Sequence, residues 1–162
     1  MAFPIYWLTG NTDAGKTTLA FGALDYINHH LDCNSPFARR AIVLDGDDMR
    51  DPISTNETMS PEDRRKHNLR VARLAKLLSE QGHLVIVAVI APFEEVRQEI
   101  DNICSPLWIH VQRSMPTTNE KPYEAPKQPD FVIDNDRLAP ETAQNKFIDF
   151  ITYRNERDIQ KQ

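Results

Sequence analysis

The octapeptide Gly10-Asn11-Thr12-Asp13-Ala14-Gly15-Lys16-Thr17, followed by Thr18, constrains this chain more than any other stretch. It fits G-x-x-x-x-G-K-[ST] without a mismatch. A strand-like run, Ile5 to Leu8, enters it, and a helical pattern from Leu19 leaves it, which is the context a phosphate-binding loop requires. Gly10 and Gly15 let the backbone curl so that several N–H groups point into one concavity, and the helix N-terminus behind adds its positive dipole end. Residues 10–18 are therefore expected to hold the β- and γ-phosphates of a nucleotide. Lys16 sets a cation against them, and the Thr17 hydroxyl suits Mg²⁺, which prefers oxygen ligands. Asp13 reads as a solvated turn residue with a local backbone hydrogen bond.

At 162 residues, with 40% apolar and 27% charged residues, the expectation is one globular domain spanning 1–162. A net charge of −5 argues against a general nucleic-acid binder. Cys33 and Cys104 show no ligand or redox spacing, so a reducing cytoplasm is the default. His29, His30, His83 and His110 also lack metal-ligand spacing. The longest apolar run, Leu84 to Pro92, is too short for a membrane span and reads as a buried strand. Oligomeric state is left open, a homodimer included.

Strands are expected at Ile5–Leu8, Ala41–Leu44, Leu84–Ile90, Leu107–Val111 and Phe131–Asp134. Helices are expected from Thr17 to about His30, from Pro61 to about Gln81, over Phe93–Ile103, and from Pro140 to about Arg154. Ser60-Pro61-Glu62-Asp63 supplies a cap, a first-turn proline and two acids. Leu69, Ala72, Leu77 and Leu78 mark that helix's apolar positions. Asp51 to Ser60 and Arg113 to Gln128 read as polar loops. Strands alternating with helices predict an α/β fold of three layers, the P-loop NTPase fold, with a mostly or wholly parallel five-stranded sheet flanked by helices.

Four blocks then occur in order: the P-loop; Leu44-Asp45-Gly46-Asp47 with Arg50; Ser60 to Leu77 with Asp63-Arg64 and Ala75-Lys76-Leu77; and Tyr123-Glu124-Ala125-Pro126 with Pro129 and Asp134. Ile90-Ala91-Pro92-Phe93 lies between the last two. On these residues, over about 5 to 135, the chain resembles the adenylylsulfate kinase family. Those P-loop kinases move the γ-phosphoryl of ATP to the 3′-hydroxyl of adenylylsulfate in sulfate activation. The resemblance implies ATP as co-substrate and Mg²⁺. It implies Asp47 as base for the acceptor hydroxyl, acting with Lys16, and Asp45 as a ligand of Mg²⁺ through water beside Thr17. Arg50 and Arg64 would grip the acceptor's phosphosulfate and nucleotide part. Met59, His67, Asn68, Ile90, Pro92 and Phe93 would complete the acceptor site.

The chain also departs from the family pattern. Thr58-Met59 stands where the family has Gly-Phe, His67 where a gapless register puts an Asn, and Ala91 for Ser. Glu94 stands for a commonly basic residue, an expected repulsion toward an anionic acceptor. Only Gln112 to Pro122 fills the gap where the family carries a long basic lid, and it offers Arg113 and Lys121 as cations. Three readings follow. The first is an adenylylsulfate kinase. The second is a related kinase with another anionic nucleotide or nucleotide-linked acceptor, such as a precursor of surface-polysaccharide modification. The third is a nucleotide-binding module without catalysis, against which intact Lys16, Thr17 and Asp47 argue.

Overall fold

In a computed structural model of the chain, residues 2–115, 118 and 121–159 are described. The elements alternate as expected: β1 (Ile5–Thr9), α1 (Lys16–Asp25), β2 (Ala41–Asp45), α2 (Gly46–Ile53), α3 (Pro61–Glu80), β3 (Leu84–Ala88), α4 (Glu94–Cys104), β4 (Leu107–Gln112), β5 (Phe131–Asp134) and α5 (Pro140–Ile159). The five strands form one sheet in the order β2-β3-β1-β4-β5, and every pairing is parallel. After β1 the chain turns toward β2 and β3, and after β3 it crosses to β4. The reversal lies at the carboxyl end of β1, where open α/β sheets hold their ligands.

Alternation along the strands separates two core layers. Tyr6, Leu8, Leu84, Ile86 and Ala88 face one side and pack with Leu19, Ala20 and Ala23 of α1 and Phe147 and Ile151 of α5. Ile5, Trp7, Val85 and Val87 face the other and pack with Leu69, Val71, Ala72 and Ala75 of α3 and Val96 and Ile100 of α4. Each strand residue points opposite to its neighbour, so a strand covered on both faces reads as a continuous apolar run. Trp7 and Trp108 are both buried, with ring centroids 5.4 Å apart.

Four details differ from the sequence reading. Residues 46–53 form a helix rather than a strand end and the start of a loop. Asp45 caps it, its carboxylate accepting from the Asp47 and Asp48 backbone N–H groups, and Asp47 and Asp48 fill its acidic first turn. Leu77 is 50% exposed; Val71 and Ala75 carry the buried face of α3 in its place. The turn Tyr26–His30 that continues α1 is π-helical. The β3 ladder stops at Ala88, and side chains of β1 take the next carbonyls: Trp7 Nε1 donates to Val89 at 2.9 Å and Thr9 Oγ1 to Ile90 at 2.6 Å.

The expected loop from Arg113 to Gln128 is described except at 116, 117, 119 and 120, which lie outside the described residues. No helix occurs in its described part. Among the described residues no helix is long and apolar enough to cross a membrane.

Candidate active site

The loop leaving β1 reaches α1 through Gly15, whose φ of 104° is left-handed and strained for a side chain. A Cβ there would also lie 2.8 Å from Asn135 Nδ2. That amide donates to the Ala14 carbonyl at 2.7 Å, so the end of β5 holds the loop's crest. At Gly10 a Cβ would collide with the Val111 carbonyl of β4. Gly10 and Ala14 are buried in the body of the loop, and Asp13 is exposed with φ 63°.

Lys16 is only 7% exposed. Its ammonium donates back to the Gly10 and Asn11 carbonyls at 2.9 and 2.6 Å. Burial pushes its pKa down to about 8, against the opposing pull of Asp13, Asp45 and Asp47. Thr17 Oγ1 donates to Asp45 Oδ2 at 2.7 Å. The other Asp45 oxygen accepts from the Asp47 N–H at 3.0 Å, so one carboxylate both caps α2 and meets the end of the P-loop. A hydroxyl and a carboxylate converging at a phosphate cradle are the hard oxygen donors that suit Mg²⁺. Among the described residues no cluster of three or more His, Cys, Asp or Glu could hold a metal alone.

Lys16, Thr17, Thr18 and Asp45 open onto a cavity of about 480 Å³. Asp47, Arg50, Met59, Arg64, His67, Asn68, Ile90 and Pro92 line the same space, as do Thr12, Asp13 and Gly15. The sequence-predicted base and the P-loop lysine therefore face one chamber. Arg64 Nε donates to the Met59 carbonyl at 2.7 Å. Burial first, and the nearby charge of Arg50 second, lower its pKa; two guanidinium groups converging this way favour an anion between them. His67 is 1% exposed, with Nδ1 at 2.7 Å from Ser54 Oγ. Burial, then the Arg50 charge, push its pKa down, so it sits neutral at the cavity wall.

Three residues sit differently from expectation. Phe93 does not line this cavity; it is the residue before α4, at its N-cap, and packs half-buried against the α3–α4 core layer. Asn11 opens instead onto an adjoining cavity of about 270 Å³ that shares Thr12, Arg64 and Ile90 with the first. Glu94 offers no bare repulsive charge: Arg97 Nη2 donates to its carboxylate at 2.8 Å.

Other residues join the expected set: the sequence singles out Arg113, Lys121 and Tyr123 without a site role, and it does not single out Thr9 and Asn135. Arg113 lines the main cavity and donates from Nη1 to the Asp13 carbonyl at 3.1 Å. Asn135 and Thr9 act through backbone carbonyls, contacts for which no local pattern exists. Lys121 and Tyr123 line the smaller cavity, with the Tyr123 hydroxyl 3.2 Å from Thr9 Oγ1.

The family model described as adenylylsulphate kinase matches residues 3–119. A probable adenylyl-sulfate kinase of Bacillus subtilis is 31% identical over 91% of this chain and 84% of its own. The adenylyl-sulfate kinase of Paraburkholderia xenovorans is 33% identical over 83% of this chain and 84% of its own. Among solved structures, an APS kinase of Mycobacterium tuberculosis superposes with a TM-score of 0.73 at 25% identity, covering 93% of this chain and 98% of that one. With the P-loop, the two-faced parallel sheet and the shared cavity already in view, these matches establish that the chain belongs to the adenylylsulphate kinase family of P-loop phosphotransferases.

Proposed function

We propose that this chain transfers the γ-phosphoryl group of ATP to the 3′-hydroxyl of adenylyl sulfate, yielding 3′-phosphoadenylyl sulfate and ADP. The observation that carries the reading is one chamber onto which Lys16, Asp47, Arg50 and Arg64 all open. Its walls suit a phosphate tail on the P-loop side and a second anion between the arginines. Asp47 takes the proton from the attacking hydroxyl while that oxygen bonds to the γ-phosphorus and the bond to the β-bridging oxygen breaks. Lys16 turns from the Gly10 and Asn11 carbonyls toward the phosphates as they enter. Thr17 and Asp45 would hold Mg²⁺, which neutralises phosphate charge when bound. Asn68 and neutral His67 supply hydrogen-bonding groups at the acceptor's wall, and Met59, 53% exposed, is an apolar cover for its base.

The same reading carries a role in sulfate activation, a cytoplasmic setting, a small-molecule nucleotide partner and no nucleic-acid partner. Two core layers across one sheet support residues 1–162 as a single kinase domain.

A second reading keeps the chemistry and changes the acceptor to another anionic nucleotide derivative. The adjoining cavity beside Lys121 favours it, as does a β4–β5 connection that contains no helix in its described part. ATP consumption coupled to adenylyl sulfate, set against a panel of adenosine and cytidine diphosphate derivatives, separates the two. Turnover of adenylyl sulfate alone supports the first reading. Turnover of another nucleotide alone supports the second, and ATP binding with no acceptor turned over leaves a non-catalytic module.

A further inference from the structure

The acceptor wall between β3 and α4 contains a residue in an unusual backbone conformation. Ala91 has φ 46°, in the left-handed region that is strained for a residue with a Cβ. It is completely buried and lies between Ile90 and Pro92, and all three line the main cavity. Such a conformation persists only where its surroundings over-determine it. Arg97, one turn into α4, is the group that does so. Its side chain is 3% exposed, and Nη1 donates to the Ala91 carbonyl at 2.8 Å. Nη2 donates to Glu94, and its Nε finds no hydrogen-bond partner among the described residues. A buried cation left one donor short is a poor device for stability alone.

The guanidinium reaches further. Its carbon lies 6.0 Å from the centroid of the Tyr123 ring, and that hydroxyl meets Thr9 Oγ1, which itself holds the Ile90 carbonyl. The backbone beyond closes the same loop: Glu124 N–H donates to the Pro92 carbonyl at 2.8 Å, and the Glu124 carboxylate accepts from the Glu94 N–H at 3.1 Å. Carbonyls 90, 91 and 92 are thus each taken by a different partner.

We propose that Arg97 is a positioning residue for the acceptor. It holds the Ala91 peptide in its left-handed conformation and so fixes Ile90 and Pro92 where the acceptor packs, without touching the acceptor itself. This rests on the reading that the cavity between Arg50, Arg64 and Ile90 takes the acceptor.

Three variants test it: Arg97→Met, Arg97→Lys and Arg97→Met combined with Ala91→Gly. Glycine adopts φ 46° at no steric cost, so the wall it forms no longer needs the guanidinium. Arg97→Met is expected to raise the acceptor KM about tenfold, the effect of one lost charge-assisted hydrogen bond, with the KM for ATP unchanged. Arg97→Lys, which keeps one donor, is expected to fold and to give a smaller rise. Adding Ala91→Gly to Arg97→Met is expected to recover much of the acceptor KM. Equal rises in both KM values, or no recovery by glycine, would overturn the proposal. If the methionine variant does not fold, Arg97→Lys with and without Ala91→Gly gives the same comparison. Should the wild type turn over no acceptor, the reading of the site fails on its own. The inference is then read from a crystal structure of Arg97→Lys or Arg97→Met: Ala91 leaving the left-handed region supports it, and an unchanged φ refutes it.

Discussion

Two side chains divide the chemistry between them. Asp47 is exposed and, on the proposed reading, would take the proton, whereas Lys16 is buried and would set its charge against the phosphates. Asp47→Asn keeps the size and the first-turn position in α2 but removes the proton acceptor. It is expected to lower kcat by about a hundredfold or more with nucleotide affinity little changed, the range typical of a lost general base. Single-turnover transfer together with ATP titration checks this; an unaltered kcat would exclude Asp47 as the base. For Lys16 the stake is stability. A lysine held near pKa 8 binds fewer protons when folded than when unfolded between about pH 8 and its ordinary 10.5. Its burial therefore weakens the fold fully below pH 8, and the penalty fades as pH rises toward 10.5. The whole shift corresponds to roughly 3 kcal/mol at most. In nucleotide-free protein, Lys16→Met should narrow its stability difference from the wild type across that window, measured by urea unfolding at stepped pH. A difference that stays constant would mean that Lys16 is not desolvated.

At the scale of elements, α2 is the piece that makes the site. Asp45 caps it with one carboxylate oxygen and meets Thr17 with the other. Asparagine caps as well as aspartate, so Asp45→Asn is expected to change stability by less than about 0.5 kcal/mol while Mg²⁺-dependent activity drops. Asp45→Ala should cost about 1 kcal/mol in addition. Thermal unfolding beside a Mg²⁺ titration of activity distinguishes the two losses, and equal stability losses would remove the capping role. This element was also the least legible in the sequence. With Gly46 at its first position, Pro52 inside and eight residues in all, no apolar period announces it, and its acids read as the polar end of β2. The strands and α3 were legible because burial on two faces and a Ser-Pro-Glu-Asp start leave direct marks on composition. The P-loop residues were legible for the same reason, since phosphate binding needs glycines at fixed spacing. Arg97 was not: a charged residue in an amphipathic helix reads as solvated until a carbonyl 6 residues earlier in the chain is seen to claim it.

On the scale of the whole molecule, the parallel sheet brings the carboxyl ends of β1, β2 and β3 to one rim, and the chain's reversal of direction leaves the chamber there. Binding of a non-hydrolysable ATP analogue at a hundred times its Kd should stabilise the protein by about 2.7 kcal/mol. Protection from hydrogen exchange should concentrate in residues 10–18 and 45–68 rather than in α5. Uniform protection would contradict a ligand seated at that rim. The stretch from Gln112 to Phe131 joins β4 to β5, and its described part contains no helix. On the proposed reading, water that reaches the chamber would compete with the acceptor for the same transferable group. The expected signature is imperfect coupling: ADP formed in excess of phosphorylated acceptor, and slow phosphate release from ATP alone. Strict one-to-one stoichiometry would mean that the acceptor itself, once seated, stoppers the chamber.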